Sequence, residues 1–225
     1  APGATVTQAF NGPVSGNAAI TLNGAGRVIF NTANPALTGP VTVSNGVLEI
    51  AHSQSLGAST KPDVTVTAGG SLAIGQALNS AVALAKTVTI AGSGPDGLGA
   101  LRFDYDNLQN NALQFVTLAG DAAVGGIAPL YLPYSGSRGR FDIRNGTLDF
   151  GGHSLTKVGS SSLILAATKA VGVTSGAAIN VQSGVIGLEA ATDLGGSAAN
   201  TASVAAGANF DLNATTVPVN WTLAL

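Results

Sequence analysis

The chain has 225 residues, 31 of them glycine; 45% are hydrophobic, 5% aromatic and only 9% charged, and the formal net charge is −2. A disordered chain would be charge-rich and poor in aliphatics, so disorder is excluded. Phosphate-neutralising nucleic-acid binding is excluded too, because the nearest thing to a basic patch, Arg138, Arg140 and Arg144, is interrupted by Asp142 and Asp149.

With no cysteine there are no disulfides, no thiol catalysis and no thiolate metal sites. No apolar run reaches the roughly 18 residues of a membrane-spanning helix. What remains is a chain of small and β-branched residues with Asn, Ser and Thr between them, which reads as all-β. Bulky aromatics are not expected in the narrow interior of thin stacked coils.

Residues 4–30 set the rhythm: four or five alternating apolar residues, then a glycine corner. Ala4 to Phe10 leads to Asn11-Gly12-Pro13, Ala18 to Leu22 leads to Asn23-Gly24-Ala25-Gly26, and Val28-Ile29-Phe30 follows. Segment 31–40 is a loop by its Pro and Asn content. Residues 76–86 have the composition of a short helix, and Thr87 to Ile90 returns to strand. Segment 91–100, AGSGPDGLGA, is a glycine loop, and strands are expected at 101–105 and 115–118. Residues 125–138 hold two prolines together with Tyr131 and Tyr134, and are expected to be an excursion from the regular path. From 139 the alternation tightens, with Phe141 and Ile143 against Asp142 and Arg144, then Leu148 and Phe150 after Asn145-Gly146.

Residues 41–74 recur, without a gap, as residues 179–212. Val43 falls on Val181, Gly46 on Gly184, Val47 on Val185, Leu56 on Leu194, Gly57 on Gly195 and Val66 on Val204. The unit is strand, glycine corner, strand, and the spacing from Gly46 to Gly70 equals that from Gly184 to Ala208. An Asn-Gly between strands is also a hairpin signal. Very short strands repeating at coil length favour corners of a parallel β-helix over hairpins. No composition shift marks a boundary, so residues 1–225 read as one continuous β-solenoid of about ten coils. At about 4.8 Å per strand, that is a rod on the order of 45–50 Å long. The chain starts at Ala1-Pro2-Gly3 and stops at Trp221 to Leu225 within apolar alternation. It is therefore expected to be a piece of a longer repeat protein, its ends covered by further repeats or by neighbouring copies.

Few residues are placed to carry chemistry. His52 and His153 each lie beside a turn, where a solvated histidine is the expectation, and serines are too abundant to identify a triad. Asp104-Tyr105-Asp106-Asn107 would put two carboxylates on one face of a strand. That is a candidate Ca²⁺ site through Asp104, Asp106 and Asn107 or a glycosidase acid pair, weighed against a polar loop entrance. Asp142, Asp149, Arg140 and Arg144 are expected to form a mixed-sign ladder on an exposed face. The loop 92–99 lacks the Gly-Lys-Ser/Thr ending and following helix of a phosphate loop. Tyr131, Tyr134 and Trp221 offer stacking surfaces for carbohydrate, with core or cap packing as the simpler reading. No catalytic residue, resident metal or cofactor is implied.

The runs LTGPVTVSNGVLEIAHSQSLGAS, NGTLDFGGHSLTKVGSSSLILA and INVQSGVIGLEAATDLG resemble the autotransporter-associated β-strand repeats of bacterial surface proteins, also called passenger-associated transport repeats. The resemblance covers most of 20–75 and 139–215 and fades over 76–138; Ala36 to Pro40 replaces the usual aromatic turn. It implies a right-handed parallel β-helix in an exported protein, extracellular or on the outer cell surface, whose task is structural or adhesive rather than enzymatic. Expected partners are repeats or copies of the same kind at the coil ends, with surface glycans as a further class. The alternatives are a polysaccharide-processing β-helix enzyme and a calcium-dependent glycan-binding adhesin.

Overall fold

In the computed structural model, which describes residues 6–58, 63–76, 78, 84–130, 138–189, 191–212 and 220–225, every strand pairing is parallel. The glycine turns are therefore corners and not hairpins, because a hairpin joins antiparallel neighbours. In chain order the strands are β1 (Thr7–Phe10), β2 (Ile20–Phe30), β3 (Val41–Ile50), β4 (Val64–Ile74), β5 (Leu84–Gly92), β6 (Leu101–Phe103), β7 (Leu108–Gly125) and β8 (Arg140–Asp149). They continue as β9 (Leu155–Lys157), β10 (Ser162–Ala166), β11 (Lys169–Val171), β12 (Ala178–Val181), β13 (Val185–Glu189), β14 (Thr201–Val204), β15 (Asn209–Asp211) and β16 (Thr222–Ala224). Together they wind into a parallel β-solenoid of about eight turns.

The ladders define three sides. Side I stacks residues 20–22, 41–43, 64–66, 88–90, 116–118, 147–149 and then β11. Side II runs from β1 through 27–30, 47–50, 71–74, β6 and the end of β7 to β9, β12, β14 and β16. Side III becomes strand from the start of β5, where Leu84 pairs with Leu113, and continues through residues 108–113 of β7 to the start of β8, β10, β13 and β15. In the first coils that side is loop, closed by Leu37 and Leu56, which are 2% and 1% exposed.

Period-two alternation explains which side chains enter the core. Val64 and Val66 are 0% and 1% exposed while Thr65 between them faces outward. Outward on side I, Thr21, Thr42, Thr65, Thr89 and Thr117 stack in register. Inward aliphatics form one cluster from Phe30 to Trp221, each fully buried Val, Leu or Ile contributing about 1.5–3 kcal/mol. The interior also takes aromatics, contrary to expectation. Phe103 packs on Phe141 at 6.1 Å between centroids, and Phe150 on Trp221 at 5.8 Å. Phe30 is buried in the same cluster, in a coil whose third side is loop.

Corners are made by residues that accept positive φ. Gly46 has φ +76° and lies so close over the coil beneath that a Cβ would sit 2.2 Å from the carbonyl oxygen of Gly24. Gly184 repeats this at φ +71°, 2.5 Å from the carbonyls of Gly159 and Ser161. Only glycine meets both demands. At residues 76–86 the helical reading fails in part: β5 already begins at Leu84, and residues 77 and 79–83 lie outside the described residues. Tyr131 and Tyr134 also lie outside them.

Candidate functional site

The polar chemistry of this chain is concentrated on the outer surface of sides II and III. All five arginines of the sequence are there, paired with six carboxylates. On side II, Arg27 Nη2 meets Glu49 at 2.6 Å and its Nη1 meets Asp104 at 3.2 Å. Arg102 holds Asp104 at 3.0 Å and Asp96 at 2.6 Å. The Tyr105 hydroxyl donates to Glu49 at 2.7 Å, and burial together with that carboxylate pushes the phenol up to about 12. Glu49 and Arg102 flank Ala73 in one outward column, so the network ties coils that are not adjacent.

On side III the pattern repeats around β8. Arg140 grips Asp142 with two bonds of 2.6 and 2.7 Å, and grips Glu189, two coils on, with two of 2.8 Å. Arg144 adds a 2.6 Å bond to Asp142 and a 2.7 Å bond to the Asn110 carbonyl. The mixed-sign ladder expected here on an exposed face is buried instead: Asp142 is 0% and Arg140 5% exposed. Burial pushes the Asp142 carboxyl up, while Arg140 and Arg144 pull it back. Asp149 stands apart from this group, accepting the Gly151 N–H at 2.9 Å.

Asp104, Asp106 and Asn107 do not share a strand face, because β6 ends at Phe103 and 104–107 turn away. Asp104 is held by Arg27 and Arg102, Asp106 pairs with Arg138, and the Asn107 amide donates to the Gln76 carbonyl at 2.9 Å. Among the described residues, no three His, Asp or Glu side chains gather as metal ligands. The histidines keep to their turns. His52 Nδ1 accepts the Gln54 N–H at 3.0 Å, and His153 Nδ1 lies 3.9 Å from Asp121. Trp221 is 5% exposed with its indole N–H donating to the Gly195 carbonyl at 3.1 Å, so it packs in the core.

Two lysines were missed by sequence reasoning. Lys157 takes the inward position of β9, is 0% exposed, and is pushed down to about 7 by burial. Its ammonium donates to the carbonyls of Val158, Gly159 and Ser183 at 2.7, 3.1 and 3.4 Å, filling the corner beneath Gly184. Lys86, 1% exposed, is pushed down to about 8 by burial, with Asp63 acting the other way. The alternation Leu155-Thr156-Lys157 carries this signal, since position 157 has the parity of the core.

The ends of the stack present a different surface. At the first coils, Phe10, Val14, Ile20, Leu22, Val28 and Phe30 line an apolar cavity of about 250 Å³. Val6 and Phe10 beside it are 72% and 43% exposed. At the other end Leu212, Leu223 and Leu225 are 39%, 43% and 96% exposed. No family model, no curated protein and no solved structure matches this chain.

Proposed function

We propose that this chain is a non-enzymatic rod, secreted or carried on a bacterial cell surface, that works mechanically by stacking end to end or by presenting an adhesive flank. The rod is a right-handed solenoid, of the kind found in autotransporter-associated repeat proteins. The segments that carry that resemblance, 36–57, 139–165 and 179–195, supply β3, β8, β9, β10 and β13 and most of β12. The observation that carries the reading is the unbroken parallel ladder over a single apolar cluster, in which each coil is a template for the next. A strand edge with unpaired N–H and C=O groups above exposed core side chains is a template for another coil. The two faces of a coil stack differ, so the contact is heterologous, and stacking that continues along the solenoid axis does not close, which generates a filament rather than a ring. The outer arginine network suits such a part, since ion pairs bridging several coils resist their separation along the axis.

Sedimentation velocity across a concentration series tests this. The unaltered chain grows with concentration, whereas Phe10→Asp and Leu223→Asp each hold it at the monomer. A chain that remains monomeric into the millimolar range overturns end-to-end stacking.

A further inference from the structure

The loop 92–99 does more than connect β5 to β6. Leu72 pairs with Leu101, 29 residues on, whereas Val47 and its partner Ser71 are 24 apart, and the added length lies in this loop. It is a fixed feature. The Gly99 N–H donates to the Ser93 carbonyl at 2.9 Å, closing it, and the Leu98 N–H donates to Asp96 Oδ1 at 3.2 Å. Arg102, 4% exposed, holds Asp96 at 2.6 Å from inside the network on side II. Gly94, Gly97 and Gly99 all have positive φ, a path that other residues follow only with strain.

What the loop creates is a groove of about 460 Å³ against the outer surface of side II. That volume is in the range of small-ligand sites. Its apolar surface comes from Ala123 and Val158, with Ala122 turned toward the core beside them, and its polar groups from Ser93, Asp121, Thr156 and Gln182. Ala123 and Thr156 are register partners, so the alanine surface and the hydroxyl lie side by side. Asp121 Oδ1 accepts the Ser154 N–H at 2.9 Å, which aims a carboxylate whose side chain is 81% exposed.

The lining selects its occupant. Its only charged side chain is Asp121, and no lysine or arginine lines it, so phosphate, sulfate and uronate are repelled. An added peptide strand has no edge to pair with, because β9 is already paired on both flanks, with β7 and β12. A small apolar patch lined as well by hydroxyl, amide and carboxylate groups fits a sugar ring, which shows C–H on one face and hydroxyls at its rim. We propose that this groove binds a neutral hexose disaccharide unit of a longer glycan, with Asp121, Thr156 and Gln182 as its hydrogen-bonding residues. It stands independently of stacking at the ends.

Titration of the full chain with maltose, cellobiose and lactose, followed by amide chemical shifts, tests this. The proposal expects saturable millimolar binding by at least one of them, with shifts confined to 92–99, 121–123, 154–158 and 182. Gln182→Ala and Thr156→Val each weaken it about fivefold, and Ala123→Leu abolishes it by filling the groove. Gln182 is exposed, so its variant is readable even if Ala123→Leu fails to fold. No saturable shift with any of the three, shifts centred elsewhere, or tighter binding of digalacturonate overturns it.

Discussion

Residues 41–74 and 179–212 are the same unit placed on different sides of the molecule. In the first copy Val41 and Val43 belong to side I and Val47 to Ile50 to side II. In the second, Ile179 and Val181 belong to side II and Val185 to Leu188 to side III. Leu56 closes the loop side of its coil, whereas Leu194 lies beside Asp193, which bridges to Lys169 on side I. The whole unit has moved round by one side. The cause is insertion: 28 residues separate Val88 from Val116 and 32 separate Val116 from Leu148, against 23 from Val41 to Val64. What repeats is the corner with its two arms, and the side it occupies follows from the lengths of the coils between.

If the corner is the unit, its glycine should matter equally in both copies. Gly46→Ala and Gly184→Ala each place a Cβ at positive φ within 2.5 Å of a carbonyl oxygen, and are expected to cost about 4 kcal/mol in strain and overpacking. Urea unfolding of the two variants checks this, and a large difference between them would break the equivalence. Next in size is the network outside side III. Asp142→Asn leaves Arg140 and Arg144 facing a neutral amide in a buried site and should cost about 3 kcal/mol by the same measurement.

The two corners also differ in what lies beneath them. Val43 stacks on Leu22, whereas Val181 stacks on Lys157. The unfolded lysine titrates at 10.5 and the folded one at about 7. Between those values the unfolded chain binds more protons, so the penalty of burying Lys157 is full below pH 7 and disappears as the pH rises to 10.5. Stability should climb through that window by at most about 1.4 kcal/mol per pH unit. Lys157→Leu, which makes the second corner like the first, should remove the rise between pH 7 and 8 in melting curves and reduce it above pH 8, where Lys86, pushed down to about 8, still contributes. The smallest effect is expected at Asp106, whose pair with Arg138 is partly exposed. Asp106→Ala should cost under about 1 kcal/mol, and calcium should leave the melting temperature of the unaltered chain unchanged, since arginines already occupy Asp104 and Asp106.

Strands and corners were legible because alternation and Asn-Gly or Gly-Gly signals are local. Val64-Thr65-Val66 and Asn45-Gly46 are read almost residue by residue. The side on which a strand lies was not legible, because it depends on summed coil lengths and no single window contains them. The burial of Arg140 and Asp142 was hidden for a related reason. An outward charge on a strand reads as solvated, and the partner that completes the network, Glu189, arrives two coils later. The loop 92–99 was recognisable as a glycine loop, but the groove beside it requires Thr156 and Gln182 from coils further along the stack.

Electron microscopy of the concentrated protein decides whether the rods stack. About eight turns at about 4.8 Å each give an axial length of roughly 40 Å, and the account predicts filaments repeating near that length. Dispersed particles at every concentration would contradict it.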